Sequence, residues 1–192
     1  MKFLIVTGLS GSGKSGAVNA LEDIGYYCID NIPPQLIPKF ADICMQSNGQ
    51  MDKVAIVTDI RGGDMFYQLD GGLEYLRHSG PDVKILFLDA SDDVLIKRYK
   101  ETRRRHPLDE QCHGSLLSAI TKERSVLSGI REAADYYIDT SDMTMAQLRD
   151  TVTDLFMDNP DDRMAVKVMS FGFKYGMCRE ADIVLDVRCL PN

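Results

Sequence analysis

The chain has 192 residues, enough for one ordinary domain or for one domain with part of another. Hydrophobic residues make up 44% and charged residues 27%, close to globular averages, which argues against a disordered, fibrous or membrane-spanning chain. The formal net charge of −7 argues against a strong grip on nucleic acid by this chain alone, because duplex binders carry a basic footprint.

Taken in order, the chain alternates strand and helix. Phe3–Val6 is a continuous apolar run, as in a parallel strand covered on both faces. It leads into the glycine-rich stretch "GLSGSGKS", Gly8–Ser15. Ala17, Val18, Leu21 and Ile24 then recur at helical spacing, with Gly25 placed just past the helix end. Tyr26–Ile29 reads as a second strand. Pro34 opens a helical turn, after which Leu36, Ile37, Phe40, Ile43 and Cys44 line one face. Val54–Thr58 is a third strand ending at Asp59. Phe66, Leu69, Leu73 and Leu76 suggest a helix weakened by Gly71-Gly72. Val83–Leu88 is a fourth strand. Asp92–Arg105 reads as a helix stopping before Pro107, and Leu116–Ile130 as a longer one with Leu116, Leu117, Ile120, Arg124, Leu127 and Ile130 recurring. Tyr136–Ile138 is a fifth strand. Met145–Met157 is the next helix, with Leu148, Val152, Leu155 and Phe156 facing inward. Strands alternating with helices predict an α/β fold: a parallel five-stranded sheet with right-handed crossovers and helices on both faces. Asn159-Pro160-Asp161-Asp162 ends that rhythm. Ala165–Phe173 and Ile183–Val187 then read as strands of a second, incomplete domain over residues 163–192, whose open edges invite pairing with another copy of the chain.

Gly8, Gly13, Lys14 and Ser15 match the P-loop pattern G-x-x-x-x-G-K-[ST] between a strand and a helix. Glycines let the backbone of Gly8, Leu9, Ser10, Gly11, Ser12 and Gly13 wrap a phosphate, and the following helix turns its positive end to it. Lys14 is placed for the β- and γ-phosphates of a nucleotide, and the Ser15 hydroxyl for Mg²⁺. The metal also needs a carboxylate on a neighbouring strand. Asp59 is the best candidate; Asp30 and Asp89 also end strands and stay open. In "DIRGG", Gly62 and Gly63 allow close backbone approach, Ile60 stands beside them as a candidate nucleotide contact, and Arg61 is either a phosphate ligand or a surface charge. Lys97, Arg98, Lys100, Arg103, Arg104 and Arg105 place six of 22 basic residues in one short stretch. Such a cluster either closes over a nucleotide or is a solvated basic helix.

The five cysteines at 28, 44, 112, 178 and 189 form an odd set without a C-x-x-C pair, which reads as reduced thiols in a cytoplasm. His78, His106 and His113 lack metal-ligand spacing and read as solvated or capping residues.

"GLSGSGKS", "CIDNIPPQLI", "DIRGG", "RYKETRRRHPL", "AITKERSVLSGIREAADYYIDTS" and "SFGFKYG…ADIVLDVRCLPN", in this order, resemble the RapZ/YvcJ family over essentially the whole chain. The resemblance implies a kinase-like P-loop domain followed by a separate C-terminal domain that continues past Asn192. It implies binding and hydrolysis of ATP and GTP, with Gly8–Ser15 as the ATP site and the Asp59–Gly62 segment assigned to GTP; the hydrolysis is expected to be slow, because the sequence offers metal ligands but no residue clearly placed to orient a water. In the family, contact with a small RNA and a ribonuclease belongs mainly to the C-terminal domain. Two other readings compete: a small-molecule or nucleoside kinase, for which Asp30 is placed as the acid beside an acceptor hydroxyl, and an RNA adapter whose P-loop is a relic.

Overall fold

The computed structural model describes residues 1–30, 32–46, 51–58, 69–78, 80–158, 168–172, 181 and 183–186. Five strands, β1 Lys2–Gly8, β2 Tyr27–Asp30, β3 Lys53–Val57, β4 Asp82–Asp89 and β5 Tyr136–Asp139, form one parallel sheet in the order β2-β3-β1-β4-β5. The central strand β1 is apolar on both faces because both are covered. Phe3 and Ile5 point to one cluster, and Leu4 and Val6 to the other.

Among the described residues, seven helices cover the two faces. On one lie α1 (Lys14–Asp23) and α7 (Met145–Phe156), which supply Ala17, Ala20, Leu21, Leu148, Val152 and Phe156. On the other lie α2 (Ile37–Gln46), α3 (Leu69–His78), α4 (Asp92–Thr102), α5 (Leu116–Val126) and α6 (Ser128–Glu132), which supply Ile37, Ala41, Leu76, Leu95, Ile120 and Ile130. α7 starts on a capping box: the Thr144 hydroxyl accepts from the Gln147 N–H, and the Gln147 side chain accepts from the Thr144 N–H.

The helical pattern is corrected in detail. The buried stripe of α2 is Ile37, Ala41 and Cys44, and that of α7 is Leu148, Val152 and Phe156. Leu36, Ile43, Leu117 and Leu155 are exposed, because an apolar face spans only about 100° and these positions fall beside it. The 116–130 helix is broken at Leu127, giving α5 and α6. α4 stops at Thr102, before the expected Arg105. Arg103 takes a left-handed conformation (φ 51°), and the chain turns inward to bury His106.

The chain divides into two compact units, Met1–Asp158 and Asn159–Asn192. Within the second, the described residues 168–172 and 183–186 form no strand, contrary to the sequence expectation. Val168, Ile183 and Leu185 there are exposed. β-branched residues favour extended backbone, but a strand exists only with a ladder partner.

Candidate phosphate-binding site

β1 lies between β3 and β4, and the chain crosses from one side of β1 to the other on passing from β3 to β4. The C-terminal end of β1 is therefore the topological switch point, the crevice where open α/β sheets hold ligands. The Gly8–Ser15 loop leaves β1 at that point and runs into α1. Gly8, Gly11 and Gly13 have φ of 139°, 91° and 103°, and Gly13 caps α1. At Gly8 the need for glycine is also steric, because an added Cβ would lie 2.0 Å from the Leu88 carbonyl oxygen of β4.

Inside the loop, the Lys14 ammonium donates to the carbonyls of Gly8 (2.7 Å) and Leu9 (3.1 Å). The Ser12 N–H donates to the Leu9 carbonyl at 3.0 Å. Side chains from distant elements hold the rest of the backbone. Arg98 on α4 donates to the Gly11 carbonyl at 2.9 Å and to Thr140 after β5. The Thr140 hydroxyl lies 2.8 Å from the Ser12 carbonyl oxygen and 3.0 Å from that of Asp89. A trans peptide points its C=O and N–H in opposite directions. Capture of the Ser12 carbonyl by Thr140 thus turns the Gly13 N–H the other way. At this end the dipole of α1 adds positive potential, so the arrangement suits an anion.

Behind the loop sits Glu123 of α5, fully buried. Both its oxygens accept from the Ser10 N–H at 3.1 Å, and one accepts from the Ser10 hydroxyl at 2.8 Å. The other lies 2.9 Å from Nε2 of His106, which is itself buried. His106 is therefore neither solvated nor a surface cap.

The sequence-derived residues are distributed as follows. Gly8, Leu9, Ser10, Gly11, Ser12, Gly13, Lys14 and Ser15 form the loop and first turn of α1. Asp59, Ile60, Arg61 and Gly62 lie outside the described residues. Arg103 and Arg104 are exposed, and the side chain of that basic stretch that bonds to the loop is Arg98. Of the alternative strand-end acids, Asp30 is exposed. Asp89 is buried and committed to Arg124, whose guanidinium donates to both its oxygens at 2.8 and 2.9 Å and also reaches Asp92. Burial opposes the charge on Arg124, but the bonds to Asp92 and Asp89 prevail and raise its pKa. Burial, reinforced by Asp89, likewise raises that of the Tyr137 hydroxyl, which donates to Asp89 at 3.0 Å. Asp89 is thus part of an ion-pair network and no longer a ready metal ligand.

The RapZ-like N-terminal domain family matches residues 1–160. The chain belongs to the RapZ-like family. The RapZ C-terminal domain matches residues 164–192. A nucleotide-binding protein of Acetivibrio thermocellus is 53% identical over 193 residues, covering all of this chain and 66% of that protein. One of Caldanaerobacter subterraneus is 51% identical over 193 residues, covering all of this chain and 67% of that protein. The chain therefore spans about two thirds of the length of these relatives. Among solved structures, a sugar kinase from a Janibacter species matches with a TM-score of 0.53 at 18% identity, over 82% of this chain and 96% of that one. A shikimate kinase from Bacteroides thetaiotaomicron matches with a TM-score of 0.50 at 16% identity, over 80% of this chain and 95% of that one. These two likenesses establish the fold: the RapZ-like chain has a P-loop kinase architecture. No helix among its described residues is long and apolar enough to cross a membrane.

Four residues that shape the loop of this RapZ-like chain were not legible as a set: Arg98, His106, Glu123 and Thr140. Arg98 stood out only as one of six clustered basic residues, and Glu123 carried a signal of its own. It is an acid three residues after Ile120 and four before Leu127, at the spacing of a buried helical face.

Proposed function

We propose that this chain binds ATP or GTP with Mg²⁺ at the Gly8–Ser15 loop and hydrolyses it slowly, as a regulatory nucleotide-binding protein. The observation that carries the reading is the loop itself. It is a positive-φ glycine turn at the switch point of the sheet, with its carbonyls held by Lys14, Arg98 and Thr140 and the N-terminus of α1 behind it. The name carried by the relatives supports it. In this reading Lys14 moves from the Gly8 and Leu9 carbonyls to the nucleotide phosphates. Ser15 and Asp59 hold the metal. Ile60, Arg61 and Gly62 approach a guanine nucleotide, and Arg103 and Arg104 close over the phosphates. The expectation of slow turnover rests on the side chains around the loop. Arg98, Glu123 and Thr140 all spend polar atoms on its backbone, and the sequence offers no residue that stands out as a Gln-like orienter of water. Residues 163–192 would open a second domain, and any contact with RNA or a ribonuclease would belong to that domain.

Calorimetry with ATP and GTP in magnesium tests the reading. Lys14→Ala is expected to remove most of the affinity; undiminished binding in that variant refutes the assignment. Turnover of roughly 1–100 per second with an added small-molecule acceptor would favour the competing kinase reading, in which exposed Asp30 at the end of β2 serves the acceptor hydroxyl.

A further inference from the structure

Glu123 is a buried acid placed against a loop built for anions. Its charge works against phosphate binding, so a requirement specific to a carboxylate must hold it there. The hydrogen bonds supply that requirement. His106 Nδ1 accepts the Leu108 N–H at 3.1 Å, so the ring hydrogen sits on Nε2 and is donated to Glu123. Ser10 donates to Glu123 through both its N–H and its hydroxyl. An ionised carboxylate is acceptor-only and can serve all three donors, whereas an amide would oppose one of them with its own NH₂.

The consequences reach both ways. Holding the Ser10 N–H toward Glu123 turns the Leu9 carbonyl of the same peptide in the opposite direction. That carbonyl is the one bonded by the Lys14 ammonium and by the Ser12 N–H. Glu123 therefore fixes the peptide on which Lys14 rests. On its other side His106 is the buried end of a segment that leaves α4 at Arg103 and exposes Arg103, Arg104 and Arg105. The His106 ring packs on Tyr99 with centroids 5.3 Å apart. Tyr99 in turn lies beneath Gly11, where an added Cβ would be 3.5 Å from its ring.

We propose that Glu123 is the positioning residue of the phosphate loop and that, through His106, it couples the conformation of that loop to the arginine-bearing segment 103–109. The proposal rests on the nucleotide reading above for its purpose, but the coupling itself is made by the chain's own hydrogen bonds among Ser10, Glu123 and His106. A rearrangement of the loop moves Ser10, and Ser10 shares its acceptor with His106.

The test uses the full 192-residue chain and limited trypsin digestion, scoring cleavage at Arg103–Arg105 against cleavage elsewhere, together with calorimetry using ATP and GTP. Ser10→Ala removes one hydroxyl from the loop. It is expected to raise cleavage at Arg103–Arg105 several-fold without nucleotide, with other sites unchanged. Glu123→Gln is expected to do the same and to weaken nucleotide binding on the order of 10- to 100-fold, the range for a lost bond to a charged group. In His106→Phe, which keeps a ring against Tyr99, nucleotide should no longer alter cleavage at these arginines. The proposal is overturned if Ser10→Ala leaves cleavage at Arg103–Arg105 as in the wild type, or raises it equally across the chain. It is also overturned if folded Glu123→Gln binds nucleotide as the wild type does. Should Glu123→Gln fail to unfold cooperatively, Ser10→Ala decides alone. Should the wild type bind no nucleotide, the nucleotide reading fails, and the unliganded Ser10→Ala digestion still decides the coupling.

Discussion

Gly8→Ala isolates the tightest backbone approach in the loop. An alanine Cβ there would stand 2.0 Å from the Leu88 oxygen, 2.7 Å from its nitrogen and 2.8 Å from its carbonyl carbon. All three atoms are backbone of β4, and Gly8 pairs with Leu88 at the end of the β1–β4 ladder, so none can give way without opening the sheet. The residue also sits at φ 139°, a conformation that costs a non-glycine residue about 1–3 kcal/mol. Overpacking adds about 1–3 kcal/mol. The sum is about 4 kcal/mol, a large share of the roughly 5–15 kcal/mol that stabilises a domain. With a urea slope of about 2 kcal/mol per M, the unfolding midpoint should fall by about 2 M at an unchanged slope. Gly16→Ala is the control. Its Cβ would clash with the terminal methyl of Met145 alone, the Leu148 methyl at 3.6 Å being an ordinary contact, and Met145 is 62% exposed and can swing aside. Alanine is also the better helix former by about 1 kcal/mol. That variant should stay within about 1 kcal/mol of the wild type. Gly8→Ala as stable as the wild type, or Gly16→Ala as damaged as Gly8→Ala, would refute the steric account.

The loop and the sheet could be read from the sequence because each is specified locally. Four fixed residue types mark the loop, and unbroken apolar runs such as Phe3–Val6 mark strands covered on both faces. The supports of the loop are specified by distance in space instead. Ser10 and Glu123 stand 113 positions apart, Ser12 and Thr140 128, and Gly11 and Arg98 87. No periodicity links them. Local composition even misleads: six basic residues over 97–105 suggest one shared role. Helical geometry sends Arg98 to the loop, while Arg103–Arg105 leave the helix and face solvent. Asp89 reads like a metal ligand at a strand end until Arg124 is seen beside it. Tail residues such as Val168 and Ile183 carry strand propensity, yet among the described residues they join no sheet. Propensity describes a residue, whereas pairing needs a partner the sequence does not name.

Three further predictions follow from named contacts. Arg124→Met leaves Asp89 with the Tyr137 hydroxyl, the Ala90 N–H and the more distant Arg131 guanidinium at 3.7 Å. The loss should be about 2 kcal/mol, below the 3–5 of a fully buried pair because the Arg124 side chain is 31% exposed. Adding Asp89→Asn should restore part of it, and strictly additive losses in urea melts would refute the coupling. Asp158 bonds to Lys2 and Lys53, both at 2.6 Å, which holds its carboxyl down at about 2. Because its folded pKa lies below the unfolded one, its contribution is present above about pH 4 and lost as pH falls toward 2. Asp158 and Lys2 are half exposed, so Asp158→Asn should cost less than about 1 kcal/mol at pH 7 and progressively less below pH 4; an equal deficit at pH 7 and pH 2 would refute it. Thr140→Val keeps the shape of a buried side chain and removes its one hydroxyl. The Ser12 carbonyl, 2.8 Å from that hydroxyl, loses its donor, and Arg98 loses an acceptor at 3.0 Å. An orphaned buried acceptor costs about 1–3 kcal/mol. The Ser12 peptide, no longer pinned, can rotate and take the Gly13 N–H with it, so nucleotide affinity should fall beyond what the stability loss explains. Thr140→Ser, which keeps the hydroxyl, should retain that affinity. Equal affinities of the folded valine and serine variants by calorimetry would show that Thr140 merely packs and does not orient the loop.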